Sequence, residues 1–206
     1  MRPHGSRNAG YEARRTALLD QLTERLCDRA AGWPTLRELA AAAGCSVSTL
    51  SHYFGRRDAI VAAVLHRIAE GTVEQIEGTR TPEGDFDASI ARAAERATAA
   101  LHDPRISRLL AMGLIEALSA RELGPAFLGT MLDPFVDALA LRLDAHVARG
   151  EMRPTDTRMA ALSLISPIMI AALHQRQLGG DVCNPLDAGA HCRHVAEAFV
   201  AAHSAA

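Results

Sequence analysis

Apolar residues recur along this chain mainly at intervals of three and four, the spacing of a helix face. Leu18, Leu19, Leu22, Leu26 and Ala30 predict a first helix over about residues 9–31, stopped by Gly32 and preceded by a polar, basic arm at 1–8. Leu36, Leu39, Ala40 and Ala43 predict a second, short helix. Thr35 suits its N-cap, with Glu38 three residues on to complete a capping box. Gly44 suits the left-handed end of that helix, and Ser46 the cap of the next. Ile60, Val61, Val64, Leu65 and Ile68 predict a long helix from Asp58 to about Glu77, then a loop over 79–85 with Pro82 and Gly84. Further helices follow over 86–101, after Asp103-Pro104, over 133–149, over 156–178 with Pro167 as a possible bend, and over 187–202. Alanine-rich, valine-poor stretches with few Gly-Pro turns favour helix throughout, so the expected class is all-α.

The third helical stretch differs from the others. Val47, Leu50 and Phe54 give it an apolar stripe, while Ser48, Thr49, Ser51, His52 and Tyr53 fill much of the rest. A short helix, a glycine turn and a second helix rich in small hydrogen-bonding side chains is the helix-turn-helix pattern. In that pattern the second helix lies in a DNA major groove.

On these residues a resemblance can be stated. Thr35-Leu-Arg-Glu-Leu-Ala-x-x-Ala-Gly-Cys-Ser-x-Ser-x-Leu-x-His-Tyr-Phe-x-x-Arg-Asp-Ala-Ile60 resembles the DNA-binding signature of TetR/AcrR-type transcriptional regulators. The motif covers about residues 11–65, and the rest matches in length, helical character and helix order. The resemblance implies a three-helix DNA-binding domain at 1–57 and a helical ligand-binding and dimerisation domain at 58–206. It implies a regulator of transcription, repressing until a small molecule releases it. The chain departs from the family at Ser51, where an aromatic is usual, and in the short Trp33-Pro34 link. The operator sequence therefore does not carry over.

Composition changes the picture only a little. The 22 basic residues are all arginine, which can grip phosphate at two points. The net charge of −2 does not advertise nucleic acid, but residues 1–60 carry nine arginines against six acids, and the rest thirteen against eighteen. A mildly basic head on an acidic body suits DNA binding by the head. The N-terminus lacks the apolar core of a signal peptide. The longest apolar run, Met159 to Leu173, falls short of the roughly 18 residues of a membrane span. A cytoplasmic protein without membrane contact is expected. Cys27, Cys45, Cys183 and Cys192 form no CxxC pair, and reduced thiols are the default.

The expected DNA-facing residues are Thr35, Arg37, Val47, Ser48, Thr49, Ser51, His52, Tyr53 and Arg57. Arg37 suits a guanine edge or a phosphate. The small side chains of the recognition helix let it approach base edges. Val47 suits a thymine methyl or a buried position. By the resemblance, Tyr53 and Arg57 hold phosphate, and Thr35 donates to it from a helix N-terminus.

Two such heads about one helical turn apart read a palindrome in double-stranded DNA, so a homodimer is expected. Helix 156–178 is apolar nearly all round and needs cover on several sides. By the resemblance, it pairs with 187–202 in the dimer. The remaining helices would enclose a small-molecule effector among Met112, Phe127, Met131, Phe135 and Met169, with His174, His66 or His102 as the polar group. With no Trp or Tyr after residue 57, a neutral or acyl-type apolar ligand fits better than a caged cation. No cofactor is expected.

Three other readings bear on these residues. Cys183, His191, Cys192 and His194 could make a metal- or thiol-responsive regulator, though in no standard metal spacing. A ligand-free accessory DNA-binding protein also fits the motif. An enzyme does not, for want of a phosphate loop, a G-x-S-x-G elbow or an H-E-x-x-H pair.

Overall fold

The computed structural model describes residues 5–28 and 34–205, with side chains from Gly10 onward. In order, the elements are α1 (Gly5–Cys27), α2 (Leu36–Ala42), α3 (Val47–Phe54), α4 (Arg57–Glu70), α5 (Val73–Arg80), α6 (Phe86–His102), α7 (Pro104–Ser119), α8 (Leu123–Phe127), a π-helical turn (Leu128–Leu132), α9 (Asp133–Ala148), α10 (Thr157–Arg176), α11 (Gly180–Cys183) and α12 (Ala188–His203). Among the described residues no strand forms beyond one isolated bridge, Met152 to Ser204. The chain is all-α. Helix α1 begins at Gly5, inside the stretch expected as an arm; Trp33 lies outside the described residues.

Two compact units emerge, residues 1–70 with 112–127, and 71–111 with 128–206. Within the first, α4 packs on α1, α3 and α8. In the first unit Leu18, Leu22, Leu39, Leu50, Ile60, Val61, Val64 and Leu65 are fully buried. Gly113 allows a close approach here: a Cβ on it would sit 2.7 Å from the Phe127 ring.

The single helix expected from Asp58 to Glu77 is two. α4 ends at Glu70, Gly71-Thr72 forms a turn, and α5 starts at Val73. The apolar periodicity fades after Ile68, and glycine is a poor helix former, so nothing local holds the two together.

In the second unit α6, α9, α10 and α12 pack on one another around Phe86, Ile90, Val136, Leu139, Leu143, Leu164, Ile165, Ile168 and Phe199. Helix α10 runs unbroken through Pro167. At 20 residues it is long and apolar enough to cross a membrane, by length and composition alone, and so exceeds the shorter run read from sequence. It packs against α6, α9 and α12.

One arginine is completely buried in this core. Arg142, on α9, donates from Nε to the Thr79 carbonyl at 2.7 Å and from Nη2 to the Gly78 carbonyl at 3.0 Å. Its Nη1 donates to the Ser89 hydroxyl at 2.8 Å. The guanidinium thus closes the C-terminal end of α5, where unpaired carbonyls and the helix dipole both favour a cation. Burial pushes its pKa down to about 10, with neighbouring Arg96 adding to the effect, so it stays charged at neutral pH.

Candidate nucleic-acid interface

The two caps position α2 and α3. The Thr35 N–H donates to Glu38 Oε2 at 2.7 Å, and the Glu38 N–H donates back to Thr35 Oγ1 at 3.3 Å. The Thr35 hydroxyl also donates to Glu38 Oε2, at 2.8 Å. These bonds, with the Thr35 backbone first, hold the Glu38 carboxyl below its ordinary range. Gly44 takes φ 60°, and the Cys45 N–H reaches back to the Ala40 carbonyl at 3.0 Å, so the chain turns as the sequence predicts. Ser46 then caps α3 by accepting from the Thr49 N–H at 3.0 Å. Its hydroxyl lies 2.8 Å from those of both Ser48 and Thr49.

Leu50 and Phe54 bury the inner face of α3. Val47, Ser48, Ser51 and His52 are exposed and Thr49 and Tyr53 half-buried, so the six lie outside the core on one short helix. Val47, left open from sequence, is 38% exposed and thus available for an apolar contact. Arg37, on α2, is exposed.

Thr35 and Arg57 are engaged within the chain. The Thr35 hydroxyl donates to Glu38, as described. Arg57 donates from Nη1 and Nη2 to the two carboxylate oxygens of Glu116, at 2.8 and 2.7 Å, and from Nε to the Pro34 carbonyl at 3.0 Å. The Glu116 hydrogen bonds raise the Arg57 pKa further. All three guanidinium nitrogens of the expected phosphate-holding residue therefore have partners.

Sequence reasoning passed over Tyr11. Its ring stacks on Tyr53 with centroids 4.6 Å apart, and His52 sets an edge against each of the two rings. One turn along α1, the Arg15 guanidinium lies over the Phe54 ring at 5.2 Å. The signal was present: Tyr11 and Arg15 continue, four residues apart, the stripe of Leu18, Leu22 and Leu26.

The residues expected to line an effector pocket divide between the two units. Met112 and Phe127 are buried in the first. Met131, Phe135, Met169 and His174 lie in the second, all half-buried. Of these, Phe135 lines a small cavity with Ala93, Ala94, Ala97, Leu139, Leu164, Ile165 and Ile168. Its volume is about 10 Å³, room for about one water. His174 is held by Gln175, Nδ1 to Nε2 at 2.8 Å, and packs against Gly180. His66 is exposed, and His102 bonds the Thr98 carbonyl of its own helix.

Among the described residues no group of three or more His, Cys, Asp or Glu could hold a metal ion. Cys183 is exposed and Cys192 buried.

Comparison with known proteins adds the following. Residues 88–205 match the model for the C-terminal domain of AefR-like transcriptional repressors, a TetR-type domain. The fold is similar to that of a TetR transcription regulator from Haloarcula marismortui, at 17% identity, with 94% of this chain and 99% of that one covered and a TM-score of 0.70. It is also similar to the fatty acid degradation regulator FadR from Bacillus halodurans, at 15% identity, 90% and 94% coverage and TM-score 0.65. A third similar structure, described as a transcriptional regulator from Saccharomonospora viridis in complex with choline, shares 16% identity, with 95% and 99% coverage and TM-score 0.71. No curated protein matches the chain.

Proposed function

This chain belongs to the TetR family of transcriptional regulators, and from that premise we propose that it is a homodimeric repressor, released from a palindromic operator by a small apolar ligand. The observation that carries the DNA-binding half is the open face of α3, where Val47, Ser48, Ser51 and His52 stand exposed over a buried Leu50 and Phe54. Small hydroxyls and an imidazole suit base edges in a major groove. Of the candidate base-reading residues, Ser48 and Thr49 are both held through their hydroxyls to Ser46. The proposed DNA-binding domain is residues 1–57, and the rest is the ligand-binding and dimerisation domain. The match to a family of repressors favours repression.

The dimer reading rests on the outer surface of α10 and α12. Met159 and Ile170 are 63% and 60% exposed, with Ser163 and Pro167 also exposed between them at helical spacing. His191 of α12 lies against the Pro167 carbonyl at 3.3 Å, and beyond it His194, Ala198 and Ala201 are exposed. An apolar, small-residue surface on two neighbouring helices fits a self-complementary contact about a two-fold axis. Sedimentation should give the mass of two chains, and of one chain for Ile170→Arg. A single-chain mass for the unaltered protein at micromolar concentration overturns the dimer.

The apolar ligand reading rests on the cavity between α6, α9 and α10. Three alanines of α6 leave the space, and no charged or polar side chain lines it. One of the similar structures holds choline. A quaternary ammonium needs several aromatic faces or a carboxylate, and this lining offers a single phenylalanine. A neutral or acyl chain fits it better. Such a ligand would widen the cavity and act by favouring a conformation with low affinity for the operator.

A further inference from the structure

The phosphate contacts expected just past the recognition helix fall to Tyr53 and Arg57, and every nitrogen of Arg57 is already partnered. What lies beside Tyr53 instead is Tyr11. The rings stack at 4.6 Å with 23° between planes, and the His52 ring meets Tyr11 at 6.3 Å and 87°. Three rings from two helices thus form one cluster at the C-terminal end of α3. His52 is exposed and the two tyrosines are half-buried, so the cluster reaches solvent. Among the described residues neither phenol hydroxyl has a hydrogen-bond partner, whereas the Thr35 and Ser46 hydroxyls are engaged in the caps of α2 and α3. A tyrosine whose ring is fixed by stacking carries its O–H on a rigid arm, and such a donor suits a backbone phosphate oxygen.

We propose that Tyr11 is a DNA-contacting residue of this protein: its hydroxyl donates to the DNA backbone from α1, and its ring fixes the pose of Tyr53 and His52. The assignment rests on the reading of α3 as the recognition helix. It makes α1 part of the DNA-binding surface, which the helix-turn-helix motif alone does not.

Three variants separate contact from support. Tyr11→Phe keeps the stack and removes the donor. Tyr11→Ala removes both, and Thr49→Ala tests the recognition helix without touching the cluster. Each is titrated by fluorescence anisotropy against a labelled short duplex of random sequence at low salt, and against the duplex that wild-type protein enriches from a random pool. Tyr11→Phe is expected to melt as wild type does and to bind both duplexes about tenfold more weakly, the loss expected for a hydrogen bond to a charged group. The slope of affinity against salt should stay unchanged, because a neutral donor displaces no counterion. Tyr11→Ala should lose more on the enriched duplex. If Tyr11→Phe binds both duplexes as wild type does while Thr49→Ala loses preference, the recognition helix stands and the Tyr11 assignment is overturned. If wild-type protein binds neither duplex, the DNA-binding reading and this one fall together.

Discussion

Arg57 and Glu116, 59 residues apart in sequence, meet in a two-point ion pair at 2.8 and 2.7 Å. Glu116 is 1% exposed and Arg57 28%. A carboxylate this deeply buried is tolerable only with its partner, since an isolated buried charge costs several kcal/mol. Arg57 opens α4, and Glu116 sits on α7, so the pair fastens the helix that follows the recognition helix.

Removing one partner should therefore hurt more than removing both. Glu116→Ala or Arg57→Ala is expected to destabilise the protein by about 3–5 kcal/mol, and replacement of both by methionine by clearly less. Urea unfolding of the singles and the double measures this. A single-variant loss under about 1 kcal/mol would mean that the pair is solvated in solution and that Arg57 is available for phosphate.

Arg142 has a comparable role with carbonyls in place of a carboxylate. Arg142→Met leaves the Gly78 and Thr79 carbonyls at the end of α5 without their donor. A loss of about 2–4 kcal/mol is expected, from the buried Thr79 carbonyl and Ser89 hydroxyl left without their donor. Arg142→Lys should recover only part of it, because an ammonium cannot reproduce the fork. Full recovery by lysine would argue that charge alone matters there.

Three carboxyls held below their ordinary range contribute to acid sensitivity: Glu83, through its hydrogen bond from Arg96, and the two capping groups Glu38 and Asp187. Glu38 lies below its ordinary range mainly through its hydrogen bonds from Thr35, and Asp187 through the Ala190 N–H. A carboxyl whose folded pKa is depressed gives stability that is present above its unfolded pKa and lost as pH falls through the folded one. Stability should thus be level down to about pH 5 and decline below about pH 4. Glu38→Gln and Asp187→Asn should each flatten that decline when urea midpoints are compared across the range. An unaltered decline would place the acid sensitivity elsewhere.

Much of the DNA-binding head was legible because its signals are local. The Thr35–Glu38 box, the left-handed Gly44 and the Ser46 cap each involve residues within four positions of one another, and the structure has all three. What sequence could not show was long-range. Nothing near Arg57 announces that Glu116 will take its guanidinium, and nothing in its sequence neighbourhood marks Arg142 as buried. Tyr11 has little meaning until α1 folds against α3. The break at Gly71-Thr72 is marked locally only by the fading of apolar periodicity after Ile68 and by one glycine, which helices tolerate at a modest cost. The expected effector pocket was assembled from methionines and phenylalanines by type, and those residues divide between two compact units, leaving Phe135 alone beside the small cavity.

Whether the exposed face of α3 reads a palindrome is decided by in-vitro selection of bound DNA from a random pool at physiological salt. A two-fold symmetric sequence should be enriched, with Thr49→Ala shifting base preference at the same position in each half-site. Recovery of unenriched DNA by an intact dimer would contradict it, and would mean that this head holds DNA without reading its sequence.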